Sequence, residues 1–337
     1  PEDPFAINHL LSAVLFRELY RVGALDSSLY SNDSFLDQKK FAVDPKARAR
    51  IRELIDSALS AAEKRLNADP NDADALYARG VTRGLRSTYT GLLERAWFAA
   101  LRSAIGARRD HERVLELSPD YTDAKMIVGV HNYVAGSLPF AIKVAASVAR
   151  LSGSKSKGIE YLYAAANGGG ESAIDAKIAL VLFLRREGRY ADALEVIRTV
   201  GKSYPRNFLF ALEEARVLNS AGRAGEAVAS YRKLLETSRK GLYSDPRLEL
   251  AEFGLGEALR GQRDYRAAAE AFAAVGTYSR ADPDVRERAM LAEGEMYDLM
   301  DQRDLAVQRY QAVIAADTTS ARAELARKRL KQAYRNP

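Results

Sequence analysis

Apolar and small residues recur at three- and four-residue intervals along nearly the whole chain, the period of one face of an α-helix. Ile7, Leu10, Leu11, Val14, Leu15 and Leu19 mark a first helix. A polar stretch from Gly23 to Asp44 follows, and Pro45 opens a second helix with Ile51, Leu54, Ile55, Ala58 and Leu59 on one face. The pattern predicts helices in every segment and no sheet.

The helices repeat. The block from Ile174 to Asn207 spans 34 residues and reads as helix, turn at Gly188-Arg189-Tyr190, helix, and a closing Pro205. Gly188 ends the first helix at no steric cost, and Pro205 cannot continue the second. Ala193 is small enough to let the two helices approach, and Ile197 fills the space between them. Aligned on Ala193, the small position reads Ala58, Ala107, Gly158, Ala193, Ala227, Ala268 and Ala306, in steps of 49, 51, 35, 34, 41 and 38 residues. The large position reads Ala62, His111, Leu162, Ile197, Tyr231, Phe272 and Tyr310. Pro70 and Pro119 close two further units. Small, large and turn residues at these offsets match the tetratricopeptide (TPR) pattern.

The expected fold is therefore all-α: a TPR-type α-solenoid of about seven helix hairpins. The two long steps predict inserted or lengthened helices in the N-terminal half. One carries Leu92, Leu93, Ala96, Trp97, Ala100 and Leu101, the other Phe140, Val144, Ala145 and Val148. Residues 320–334 form a lone amphipathic helix, the cap that a solenoid needs over its last hairpin. Residues 1–170 are expected to hold the irregular hairpins, and 171–337 the regular ones with the cap, in one continuous solenoid.

Composition narrows the function. With 47% hydrophobic residues the chain can bury a continuous core. The net charge of +6 is small against 28% charged residues, and no basic run is interleaved with aromatics, so nucleic acid is not an expected partner. The absence of cysteine removes disulfides, zinc–thiolate sites and thiol nucleophiles. No stretch of about 18 apolar residues suggests a transmembrane segment. A soluble protein is expected. The chain begins at Pro1 rather than Met, which allows for a removed signal peptide and leaves cytoplasm, periplasm and secretion open.

Leu138-Pro139, Leu151-Ser152-Gly153, Lys157-Gly158 with Tyr161-Leu162, and Tyr204-Pro205-Arg206-Asn207 with Phe210 occur in that order. Over residues 120–240 this resembles the inclusion-body-clearance TPR family, whose eukaryotic members associate with the mitochondrial outer membrane and which has bacterial relatives. Ser154 and Lys155 stand where that family carries an acidic residue. The resemblance implies a scaffold or adaptor and supplies no catalytic residues.

Catalytic motifs are missing. His9, His111 and His131 have no metal-ligand spacing, and His111 falls on the large packing position. Gly153 to Gly158 imitates a phosphate loop without its Lys-Ser/Thr. Gly168-Gly169-Gly170 before Glu171-Ser172 offers backbone N–H groups at a helix start, an anion nest. Glu213-Glu214 and the Glu293/Glu295 pair read as solvated faces, and Arg327-Lys328-Arg329 as complement to the C-terminal dipole of the cap. No cofactor and no enzymatic activity are expected.

A partner site is legible from the repeat. The first helix of each hairpin lines the concave groove of such an array. The groove positions give Leu209, Leu212 and Arg216, then Phe253, Glu257 and Arg260, then Leu291 and Glu295. This apolar strip with both charges at its edge suits an extended or helical segment of a protein or peptide partner. The Lys and Asn of a carboxylate clamp are replaced by Leu212 and Arg216 in one repeat and by Phe253 and Glu257 in the next. The alternative is a small-ligand or lipid pocket in the N-terminal half near Tyr77, Met126, His131 and Tyr133. Partner identity and oligomeric state stay open.

Overall fold

The computed structural model describes residues 2–30, 41–137 and 153–335. Among them are fifteen α-helices and no strand. They form a TPR-type array divided into two compact units, Pro1–Arg186 and Glu187–Pro337.

Unit one holds α1 (Pro4–Arg21), α2 (Pro45–Ala68), α3 (Ala73–Thr88), α4 (Trp97–Leu117), α5 (Ala124–Ser137), α6 (Lys155–Asn167) and α7 (Ala173–Arg186). Unit two holds α8 (Tyr190–Ser203), α9 (Phe208–Ser220), α10 (Ala224–Arg239), α11 (Leu248–Gly261), α12 (Tyr265–Val275), α13 (Pro283–Leu299), α14 (Arg303–Ala316) and α15 (Ala321–Lys331). Within each unit every helix packs on the next, and alternate helices also touch: α1 with α3 and α5 with α7, then α9 with α11, α11 with α13 and α13 with α15. That second set of contacts stacks hairpin on hairpin and makes the first helices of unit two a continuous layer.

Local sequence sets the helix ends. Asp3, Asp44, Asp282 and Ser320 accept backbone N–H groups of the first turns, and Pro4, Pro45 and Pro283 stand where a missing N–H costs nothing. Pro70, Pro119 and Pro205 each follow a helix end by two residues, at α2, α4 and α8.

The repeat columns meet as their sizes require. Phe272, Tyr310 and His111 are buried. A Cβ on Gly256 would stand 2.5 Å from the Phe272 ring, and one on Gly294 2.7 Å from the Tyr310 ring. The His111 imidazole presses on Gly80 in the same way. A glycine on the first helix thus admits a ring from the second. Gly254 does the same between hairpins, against Tyr231.

The first long step lengthens two helices. A π turn at Tyr89–Leu93 extends α3, Arg95 takes a φ of 58°, and α4 runs 21 residues from Trp97. The second long step lies mostly in residues 138–152, outside the described residues. In α1, Ile7, Leu11, Leu15 and Leu19 are buried, but Leu10 is 41% exposed, because the buried stripe runs at i, i+4.

Glu293 and Glu295 are not on a solvated face: both are buried. The α13 helix is covered by α11, α12, α14 and α15, so its polar positions turn inward and need partners. Glu293 finds Arg309 at 3.1 Å. The cap, α15, ends at Lys331, and Gln332 is extended (φ −140°, ψ 118°), short of the helix expected to reach Tyr334.

Candidate functional site

The layer made by α9, α11 and α13 carries the residues singled out for partner binding. Leu212 is fully buried and Leu291 nearly so, which makes both part of the floor. Leu209, Arg216 and Phe253 are half-buried and form the accessible part of the strip. Phe253 leans on Phe272 with ring centroids 5.5 Å apart, and the Arg288 guanidinium lies over the Phe253 ring, 4.3 Å from its centroid. A cation held over an aromatic face in a partly dry groove is stabilised by about 0.5–2 kcal/mol.

Glu257 and Glu295 face the same basic groups. The Glu257 side chain keeps 37% of its surface accessible, yet the groove walls desolvate it and raise its pKa against the pull of Arg260 and Arg288. Burial also raises the Glu295 pKa, opposed by Arg260 and Arg329. Glu295 sits between Arg260 Nη1 and Arg329 Nη2, each at 3.3 Å.

At the α13 end the groove is occupied by the chain itself. Tyr334, beyond the end of α15, donates its backbone N–H to Asp298 Oδ2 at 2.7 Å. Arg260 Nη2 donates to the Tyr334 hydroxyl at 2.5 Å. The guanidiniums of Arg329 and Arg260 lie 4.5 and 5.3 Å from its ring centroid. Asp298 further accepts from the Tyr310 hydroxyl at 2.8 Å and from Arg303 at 2.9 and 3.1 Å. Arg303 in turn donates to the Arg329 and Leu330 carbonyls at 2.7 and 2.8 Å, satisfying acceptors that the end of α15 leaves open. Tyr334 and Arg303 were not foreseen as groove residues; the Arg329 that read as a dipole complement is a groove ion-pair residue.

The four residues of the alternative pocket in unit one have separate settings. Tyr77 is buried with its ring 6.1 Å from Phe5, 5.0 Å from Tyr121 and 5.3 Å from His111. Tyr133 stacks on Phe183 at 3.8 Å. His131 Nε2 accepts from Arg108 Nη1 at 2.7 Å, and burial together with that guanidinium lowers its pKa to about 4. Met126 is half-buried on α5. The glycine nest holds a carboxylate from the chain: Asp123 accepts from the N–H groups of Glu171 and Ser172 at 3.2 and 3.0 Å and from the Ser172 hydroxyl at 2.8 Å. Ser154, in the imitation phosphate loop, caps α6.

Unit one also contains a cavity of about 570 Å³ between α3 and α4, with Arg83, Arg86, Arg102 and Arg109 on its walls. These arginines stand about twenty residues apart in sequence and converge only when the hairpin closes. Among the described residues no three potential ligands are gathered for a metal, and no helix is long and apolar enough to cross a membrane.

No family model matches the chain, and no curated protein sequence does. Solved structures do. Yeast Tom70 is similar at 13% identity and a TM-score of 0.47, over 86% of this chain and 60% of that one. Human IFIT1, in a dimer with PPP-AAAA, is similar at 15% identity and a TM-score of 0.46, over 85% and 62%. YrrB, described as a TPR protein with an unusual peptide-binding site, is similar at 14% identity and a TM-score of 0.35, over 80% and 99%. The chain spans about 60% of the length of the first two.

Proposed function

We propose that the protein is a non-enzymatic, protein-binding scaffold in which the α9–α11–α13 groove of unit two receives an extended peptide segment of a partner. One observation carries this reading: the groove already holds a residue of non-helical chain, Tyr334, three residues past the end of α15. A backbone N–H is taken by Asp298, and an aromatic side chain is gripped by Arg260 and Arg329. These are the elements by which a groove holds a peptide, with a carboxylate for main chain and cation–aromatic contacts for a side chain. Phe253 under Arg288, with Leu209 and Arg216 further along, continues the same chemistry where the tail does not reach.

The test places a photo-crosslinking amino acid at Phe253 and, for comparison, at Glu270, which is exposed on α12. Cross-linking in the source organism should give a discrete protein adduct from position 253 and none from 270. Equal adducts from both positions, or none from 253, would refute the groove reading.

A further inference from the structure

We propose that the outer face of the α3–α4 hairpin in unit one is a second docking surface, for an acidic peptide segment of a partner that carries an apolar anchor. Charge is the first argument. Arg79 and Arg83 share one carboxylate, Asp110, at 2.7 and 2.6 Å. Among the described residues the guanidiniums of Arg86, Arg102 and Arg109 have no hydrogen-bond or ion-pair partner. Four guanidiniums, those of Arg83, Arg86, Arg102 and Arg109, therefore line one cavity, and of these Arg83 alone is paired with a carboxylate, Asp110, in a chain whose whole excess is +6. Such a concentration of like charge destabilises the fold by self-repulsion and is relieved by an anionic ligand. Gly106 leaves room in the wall, and the Arg83 stem fills it, its Cδ 3.1 Å from where a Cβ would be.

Shape and polarity are the second argument. Phe98, Arg102, Ile105 and Arg109 follow one another at intervals of four, three and four residues on α4, so they share one helix face. Phe98 is 87% exposed and Leu101 beside it 47%. A solvated phenyl ring next to unpaired guanidiniums is a surface made for contact, because burying it takes apolar area out of water. Ala99 and Ile105 give the cavity an apolar floor between the arginines. Carboxylate side chains fit this arrangement: they accept two N–H groups from one guanidinium while their methylenes lie on the floor. An amphipathic segment alternating acidic and apolar residues matches the stripe in both respects. A single-stranded nucleic acid needs a series of aromatic platforms, and the cavity wall contains none.

The experiment measures fluorescence anisotropy of a labelled peptide in which Glu and Leu alternate at helical spacing, added to the full chain. A version with Lys for Glu serves as control, and inorganic tripolyphosphate and oligouridylate compete. The acidic peptide should bind and the Lys version should not, with affinity falling as salt rises. Arg102→Glu with Arg109→Glu should weaken binding at least about tenfold. Phe98→Ser should weaken it about threefold or more and leave the salt slope unchanged. All three positions are on the surface, and Arg102→Gln with Arg109→Gln supplies a milder variant should the reversal disturb folding. Failure of the acidic peptide to bind would overturn the proposal. So would binding that survives in folded variants, or tighter binding of oligouridylate or tripolyphosphate that ignores Phe98→Ser.

Discussion

Asp298 takes the backbone N–H of Tyr334 at 2.7 Å, across 36 residues of sequence. The contact fastens the end of the chain to the first helix of the last hairpin. Asp298 is wholly enclosed, with Tyr310 and Arg303 as its other partners. Tyr310 belongs to the packing column of the repeat, Arg303 to the first turn of the same helix, α14, and Tyr334 to the tail. One carboxylate therefore joins repeat, turn and cap.

Replacing Asp298 by Ala should destabilise unit two by about 3 kcal/mol or more, because Arg303 and the Tyr310 hydroxyl lose their anion in a buried site. Asp298→Asn keeps the shape and should cost less. Denaturant melts of both variants measure this. A shift of less than about 1 kcal/mol for Asp298→Ala would show that water replaces the carboxylate.

Deleting residues 320–337 should cause aggregation. The segment covers Tyr310 and Val313, which with Leu291, Ala306 and Ala326 form one apolar cluster that Ile314, Leu325 and Leu330 also join. Removing α15 exposes that face on the last hairpin. Light scattering after purification reads the result, and unchanged scattering and melting would identify the segment as a tail with no capping role.

The repeat column was legible in sequence because its signal is local. Ala268 and Phe272, or Ala306 and Tyr310, lie four residues apart on one helix, and a small residue at fixed spacing from a large one is visible without coordinates; the glycines that receive those rings, Gly256 and Gly294, are on the other helix of each hairpin. The same column placed His111 in the core, although its chemistry alone suggested several roles. Glu295 was misread as solvated because its cover comes from α15, more than thirty residues on. Tyr334 was hidden for the same reason: a tail folding back has no periodicity. The α3–α4 arginines left a trace, Arg102 and Arg109 seven residues apart, but Arg83 and Arg86 join them only through the turn geometry of the π segment. The small and large packing positions within a hairpin could be read, and side-chain contacts set by an irregular turn, by stacking or by fold-back could not.

Gly294→Ala should destabilise by about 1–3 kcal/mol, since the new methyl meets the Tyr310 ring and overpacks the hairpin. Gly201→Ala on α8 is the contrast. Nothing lies within 4 Å of its added Cβ, so the gain in helix propensity should stabilise by about 0.5–1 kcal/mol. Opposite signs in thermal melts are the expected result.

His111 makes stability depend on acid. Burial lowers its pKa from 6.5 to about 4, outweighing the bond to the Ala107 carbonyl and the nearby Asp110. The unfolded chain takes up a proton near 6.5 that the folded one refuses until about 4, so stability is full above 6.5 and falls as pH drops through that window. The loss amounts to about 3 kcal/mol by the lower edge. His131 acts in the same direction through burial and Arg108. His111→Leu should flatten the dependence in melts at about pH 5 and about pH 7, and an unchanged slope would place the titration elsewhere.

The last prediction concerns the groove. Leu212 and Leu291 are buried floor, so substituting them would test folding more than binding. Phe253 and Arg216 are the informative positions, both half-buried on first helices. Phe253 packs against the Phe272 ring and carries the Arg288 guanidinium over its own ring. Phe253→Leu retains the apolar contact with Phe272 while removing the π face that holds Arg288. Phe253→Ala removes both. Combined with Arg216→Glu, Phe253→Ala should cost about 2 kcal/mol or more of affinity for the partner recovered by cross-linking at 253, about thirtyfold. Phe253→Leu alone should cost less. Tyr334→Ala should act in the opposite sense, because it releases Arg260 and Arg329 for the incoming segment, and should raise affinity. Titration of the purified partner into each variant, with melting temperatures checked, measures all three. Wild-type affinity in the folded double variant would remove the groove as the binding site and direct attention to the α3–α4 face.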